Sequence, residues 1–199
     1  MNKSIKIPAY LILLFALLNS ACSSLTFRSE EKFLKWLNSE ESGHSKTKTV
    51  NEFKLNAKLL PASYVAYRNG ERYTAVYDST ITILLSIKNE GNEMQKDLLS
   101  YETYSKAEYK MKFTNLSYNM HNYVWLKVGD LKIKPVLATL ENTYDLKASK
   151  TFYIVFNTPL NQGNANLDFV FNDVTFNTGI NHFVFKHENI KNVPVIKFD

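Results

Sequence analysis

The sequence predicts a mainly β chain folded as an antiparallel β-sandwich (Ig-like) of about seven to eight strands, with one or two short helices; a small β-barrel is the alternative. Three observations carry this expectation. Most apolar segments after residue 50 have strand length, and Phe53 to Leu59 alternates apolar and polar residues strictly. Turn-forming clusters of Asn, Asp and Gly separate these segments. The intervals between them leave no room for the crossover helices of a parallel α/β sheet. Alternation alone does not separate a sandwich from a barrel.

The first thirty residues have another character. Lys3 and Lys6 are the only charges before the uninterrupted non-charged stretch Ile7 to Leu18, IPAYLILLFALL. Asn19-Ser20-Ala21 and then Cys22 follow, and no acidic residue occurs before Glu30. A basic end, a short apolar segment and a small-residue cut site form the order of a secretory signal. The apolar segment is shorter than the roughly 20 residues a membrane span needs.

Cys22 is the chain's only cysteine and directly follows the small residues. This placement resembles the lipobox of bacterial lipoproteins. Ser20 and Ala21 fit its last two positions, whereas Asn19 stands where the family prefers Leu, and Leu18 lies one residue early. The resemblance implies lipidation of the Cys22 thiol, removal of residues 1–21, and attachment to a membrane by several acyl chains, which hold far better than one. Cleavage as an ordinary secreted protein would instead leave an exposed free thiol in an oxidising compartment. Ser23 and Ser24 carry no acidic inner-membrane retention signal, which points to the outer membrane of a bacterial envelope.

Three segments are therefore expected: a lipoprotein signal peptide over 1–21, a lipidated tether with a short helix and a polar loop over 22–49, and one β-sandwich domain over 50–199. Loss of Lys3 and Lys6 lowers the formal charge from +5 to +3. So mild a balance, in an exported protein, argues against nucleic acid as a partner. With its one cysteine lipidated the domain has no disulfide. It has apolar material enough for a core, with 45% hydrophobic residues including 2 Trp, 12 Tyr and 13 Phe.

Within the second segment, Ser29 is placed to cap a helix with Glu30 and Glu31 in its first turn and Phe33, Leu34, Trp36 and Leu37 on its apolar side. Residues 38–49, NSEESGHSKTKT, read as loop. Phe53–Leu59 is the first strand, ended by Pro61. Residues 62–79 are tyrosine-rich and fit a helical turn or irregular chain. Ile81–Ile87 is the second strand, closed by the turn signal Asn89-Glu90-Gly91-Asn92. Ser105-Lys106-Ala107-Glu108 has the form of a capping box and predicts a short helix over roughly 106–113. Tyr123–Val128 and Leu131–Leu140 follow, the latter with Pro135 marking an edge or bulge. Thr151–Phe156, Leu167–Phe171 and Ile180–Phe185 are further strands, the turn Asn161-Gln162-Gly163-Asn164 lies between the first two of these, and Val193–Phe198 is an eighth candidate.

Three of these stretches, Trp36 to Pro61, Val128 to Phe156 and Asp168 to Phe198, are similar to a group of β-rich envelope lipoproteins of gliding and gut-type bacteria. That group shares a helix and polar loop before the first long strand, a mid-chain Gly-Asp turn and a Pro-containing final strand. The resemblance implies an envelope lipoprotein and assigns no functional residues.

Candidate chemistry is sparse. No Gly-x-Ser-x-Gly elbow, P-loop, Gly-x-Gly-x-x-Gly or His-Glu-x-x-His motif occurs. His182 and His187 are five apart, on opposite strand faces, and are not expected to share a metal. His44, in the polar loop, and His121, at a strand start, read as surface or interfacial residues. His187-Glu188 and Asn172-Asp173 are read as exposed carboxylates beside turns rather than as acid/base pairs. Asp168, Asn172 and Asp173 lack the dense spacing of a calcium loop. Tyr64, Tyr67, Tyr73 and Tyr77, and then Tyr101, Tyr104 and Tyr109, form two groups that either close the ends of the core or hold a ligand or partner.

The expectation is a non-catalytic, membrane-tethered binding or assembly module with an envelope protein partner, no cofactor, no metal, and Cys22 as its one modified site. The alternative is a lipoprotein that binds a glycan or apolar ligand through its tyrosine-rich loops.

Overall fold

A computed structural model describes residues 25–91, 97–141, 149–158 and 164–198. The signal segment, Cys22, Ser23, Ser24, the end of the turn at Asn92 and the turn residues 161–163 lie outside the described residues.

The inner faces of two antiparallel sheets form the core. β2 (Ser45–Val50), β3 (Phe53–Leu60), β4 (Thr80–Asn89), β8 (Ser149–Asn157) and β7 (Leu137–Leu140) make one sheet in the order β2-β3-β4-β8-β7. β10 (Gly179–Phe185), β9 (Leu167–Asp173), β5 (Val124–Val128) and β6 (Leu131–Ile133) make the other in that order. The order β3-β4-β8-β7 facing β10-β9-β5-β6 is that of an immunoglobulin-type sandwich, with β2 as an added edge strand. Among the described residues neither sheet closes on itself, so the arrangement is a sandwich and not a barrel.

Period-two patterning builds this core. Phe53, Leu55, Ala57 and Leu59 of β3 face inward, as do Ile81, Ile83, Leu85 and Ile87 of β4. Phe152, Ile154 and Phe156 oppose Phe169, Phe171, Phe183 and Phe185 across the interior. Phe156 and Phe169 meet edge-on, 6.2 Å between ring centres. One charged pair lies among these side chains: Lys150 Nζ is 3.1 Å from Asp97 Oδ1, with both side chains nearly enclosed.

Several expectations need correction. The supposed loop 38–49 contains most of β2, whose Lys46, Thr47, Lys48 and Thr49 pair with β3. Its signal was hidden because an exposed edge strand needs no apolar alternation, and lysines along an edge discourage further strand addition. A two-residue turn, Asn51–Glu52, joins β2 to β3, with Asn51 at φ 53°.

The stretch Leu131–Leu140 is two strands. Pro135 has no N–H for a ladder, and around it the chain leaves one sheet and enters the other within Lys134–Val136. Val193–Phe198 contributes only β11 (Val195–Ile196), which pairs in parallel with β1 (Thr26–Phe27) outside the sandwich sheets.

Helix content exceeds the one or two short helices expected. The described residues include α1 (Glu30–Asn38), α2 (Ala62–Arg68), α3 (Lys106–Ser117), α4 (Met120–Tyr123) and α5 (His187–Lys191). Single 3-10 turns lie at Ala75–Ser79 and Leu98–Ser100. The N-cap half of the box at α3 forms, with Glu108 N donating to Ser105 Oγ at 3.2 Å, while the Glu108 carboxylate reaches back one residue further and accepts from Tyr104 N at 2.7 Å. Ser29 does occupy the N-cap of α1, but its side chain makes no capping bond.

Candidate functional site

The outer face of the β3-β4-β8 region is unusually apolar for a sandwich surface. Even-numbered positions of β3 and β4 and odd-numbered positions of β8 point away from the core, and there they include Leu60, Leu84, Tyr153 and Val155. The register sets Lys58, Leu84 and Tyr153 in one row across the three strands, and Leu60, Thr82 and Val155 in the next. A surface of this kind requires a cover, and α1 and α2 supply it.

Phe33 and Leu37, four apart, turn the buried face of α1 toward this layer. Phe33 is the hub of an aromatic cluster, with ring centres 4.9 Å from Tyr64, 5.6 Å from Trp36, 5.8 Å from Phe27 and 5.9 Å from Phe198. Pro61 stands in extended conformation at the N-cap of α2 without a side-chain cap bond, and Tyr64, Val65 and Ala66 are buried. The result is a second, smaller core on the outside of the sheet.

This cover is incomplete. A half-open cavity of about 600 Å³ remains between the helices and the sheet. Lys58, Leu84, Tyr153 and Val155 belong to its floor, Leu34 and Leu37 to one wall, and Tyr64, Arg68 and Tyr77 to the other. Small-molecule sites run roughly 300–1,000 Å³ with mostly apolar linings and a few fixed polar groups.

The polar groups are arranged unequally. Tyr64 Oη donates to Glu30 Oε1 at 2.8 Å, and the Arg68 guanidinium lies near enough to this hydroxyl, Glu30 and Glu141 to interact electrostatically with all three. Burial pushes the Tyr64 hydroxyl up from its ordinary value, Arg68 opposes this, and Glu30 adds to it. Tyr73 Oη donates to Asp78 and Tyr77 Oη to Glu71. Lys58 differs: among the described residues it has no hydrogen-bond or ion-pair partner, and burial pushes its ammonium below the ordinary lysine value.

The predicted tyrosine groups are thus divided. Tyr64 is buried, Tyr77 lines the cavity, and Tyr67 and Tyr73 are more exposed. In the second group Tyr101 packs edge-on against Phe53 at 4.9 Å, Tyr109 Oη donates to Asp97, and Tyr104 stands 87% exposed.

The histidines do not gather. His44 is buried rather than at the surface, its Nδ1 2.8 Å from the Ser42 carbonyl and its ring 5.2 Å from that of Trp36. His121 is exposed on α4, not at a strand start. His182 pairs with Asp168 on the outer face of the four-stranded sheet, Nδ1 to Oδ2 at 2.8 Å. His187 opens α5, and its backbone N–H donates to Asn166. No group of three His, Cys, Asp or Glu side chains able to hold a metal occurs among the described residues.

Asp173 is likewise not an exposed carboxylate. It faces inward and accepts from the backbone N–H groups of Thr175, Phe176 and Thr178 and from the Thr178 hydroxyl. It organises the turn between β9 and β10. Asp168 and Asn172 lie on the opposite face of β9, so the three do not converge on a cation. Glu188 is exposed, with Lys186 Nζ 3.5 Å away.

Comparison of the chain with protein-family models, with curated proteins and with solved structures found no match. The geometry of the cavity therefore carries the functional argument.

Proposed function

We propose that this protein is a non-catalytic, lipid-tethered binding protein of the bacterial envelope that holds a small apolar molecule between α1, α2 and the outer face of the five-stranded sheet. The cavity over Leu84, Tyr153 and Val155 is the observation that carries the ligand-binding part. An apolar ligand is favoured over a glycan because the hydroxyls of Tyr64 and Tyr77, which line the cavity, are engaged by Glu30 and Glu71. Rings tied in this way offer apolar surface and few free hydrogen bonds. The tether rests on the signal-like first 21 residues and on Cys22. Among the described residues no helix is long and apolar enough to cross a membrane.

The test joins the two parts. Wild type, Cys22→Ala and Leu84→Trp are fractionated from cells and analysed by intact mass and by extraction of bound small molecules. The expected outcome is a lipid mass and membrane attachment lost only in Cys22→Ala, and an apolar co-purifying molecule lost only in Leu84→Trp. A soluble wild type with a free thiol would refute the tether. Extracts from wild type and Leu84→Trp that do not differ would refute the cavity as the ligand site.

A second reading is docking of an envelope protein on the four-stranded sheet. It is favoured by Ile180 and Val184, 61% and 45% exposed on the outer face of β10. Crosslinking in cells that traps one specific protein through residues 180 and 184 would support it, and its absence would count against it.

A further inference from the structure

The charge inside the cavity selects among apolar ligands. Among the described residues its lining holds three side chains with formal charge: Lys58, Arg68 and Glu141. Arg68 is matched, since Tyr64, Glu30 and Glu141 all stabilise its charged guanidinium. Lys58 is unmatched. It sits on the floor in the row with Leu84 and Tyr153, between Leu84 of β4 and the uncharged Ser45 of β2, so that neither strand partner carries a counter-charge. An ammonium partly withdrawn from water without a counter-charge is unfavourable, and an anion brought to it restores the lost solvation.

We infer that the ligand is an apolar molecule with a single carboxylate, its tail lying against Leu34, Leu37, Leu84 and Val155 and its head group on the Lys58 ammonium. One unmatched positive charge fits a singly charged head group, and a doubly charged phosphate would leave one negative charge without a partner in an apolar cavity. This inference rests on the cavity being the ligand site. The lowered pKa of Lys58 is consistent with the geometry, since a bound carboxylate would return it toward its ordinary value.

The experiment uses the full-length chain in phosphatidylcholine nanodiscs, titrated calorimetrically at pH 7.5 with octanoate, octanol and octylammonium, with empty nanodiscs subtracted. At this pH octanoate is ionised and octylammonium is protonated. Octanoate is expected to bind at least tenfold more tightly than octanol, and octylammonium least of all. Lys58→Met and Lys58→Gln, both checked for unchanged thermal melting, are expected to abolish the octanoate margin and leave octanol within twofold. Equal binding of octanoate and octanol, or a margin that survives both substitutions, would overturn the head-group assignment while leaving the cavity as an apolar site. Absence of binding by all three probes in wild type would overturn the cavity reading itself.

Discussion

His44 shows how one side chain couples the fold to acidity. It is 1% exposed, and burial pushes its pKa below the ordinary 6.5, with the Ser42 carbonyl raising it and Lys46 lowering it further. The fold therefore favours neutral imidazole. Its contribution to stability is complete above pH 6.5 and is lost as pH falls through the lowered folded value. Thermal melts of wild type and His44→Gln between pH 4 and 8 should show a steeper loss in wild type below pH 6.5, with parallel curves above it. Equal slopes would mean that His44 is protonated as readily in the fold as in the unfolded chain. Asp173 makes a complementary point, because a carboxylate that receives three backbone N–H groups and a hydroxyl has its bonding capacity occupied by the turn.

At the level of elements, α1 owes its position more to packing than to its own helical preference. Nine residues form a marginal helix in water. The exposed Glu31–Lys35 pair at 2.8 Å adds only about 0.3–0.5 kcal/mol. The aromatic hub at Phe33 is the stronger restraint. Phe33→Ala is expected to cost about 3 kcal/mol in urea unfolding. It should also make α1 the first site of limited proteolysis and weaken octanoate binding, since α1 forms one wall of the cavity.

The strands were legible where one face is buried and the other wet, as in Phe53–Leu59. They were less so where both faces are covered. Tyr153 and Val155 continue the apolar run of Phe152, Ile154 and Phe156, and Leu84 breaks the alternation beside Leu85. Apolar residues on both faces of a strand signal an additional layer. That signal could have located the cavity floor. Lys58 had no such marker, because a lysine on the wet face of an alternating strand is ordinary; only the helices above it make it exceptional. β2 was illegible because an edge strand is specified by its partner's backbone rather than by its own side chains.

The whole molecule combines a sandwich legible from strand patterning with an outer helical layer that depends on contacts distant in sequence. Tyr64 reaches Glu30, and Phe198 reaches Phe33 and Tyr67. Pairs so far apart leave no local periodicity. The two sheets are also joined unequally at their edges. Beside β6 and β7 the three-residue passage Lys134–Val136 links them covalently. At the other edge β2 and β10 meet without a link, with Lys48 Nζ 5.8 Å from the centre of the Phe183 ring. Mechanically the sheets are the covers of a book whose spine runs through Pro135. The easiest breathing motion parts the covers at the fore-edge, wetting Phe183 while the spine stays shut. In native-state hydrogen exchange at low denaturant, the amides of β2 and β10 should then open together at one free energy below that of global unfolding. Amides of β4, β8 and β5 should exchange only when the whole molecule unfolds. An exchange pattern that opens first at β6 and β7 would put the hinge on the opposite edge.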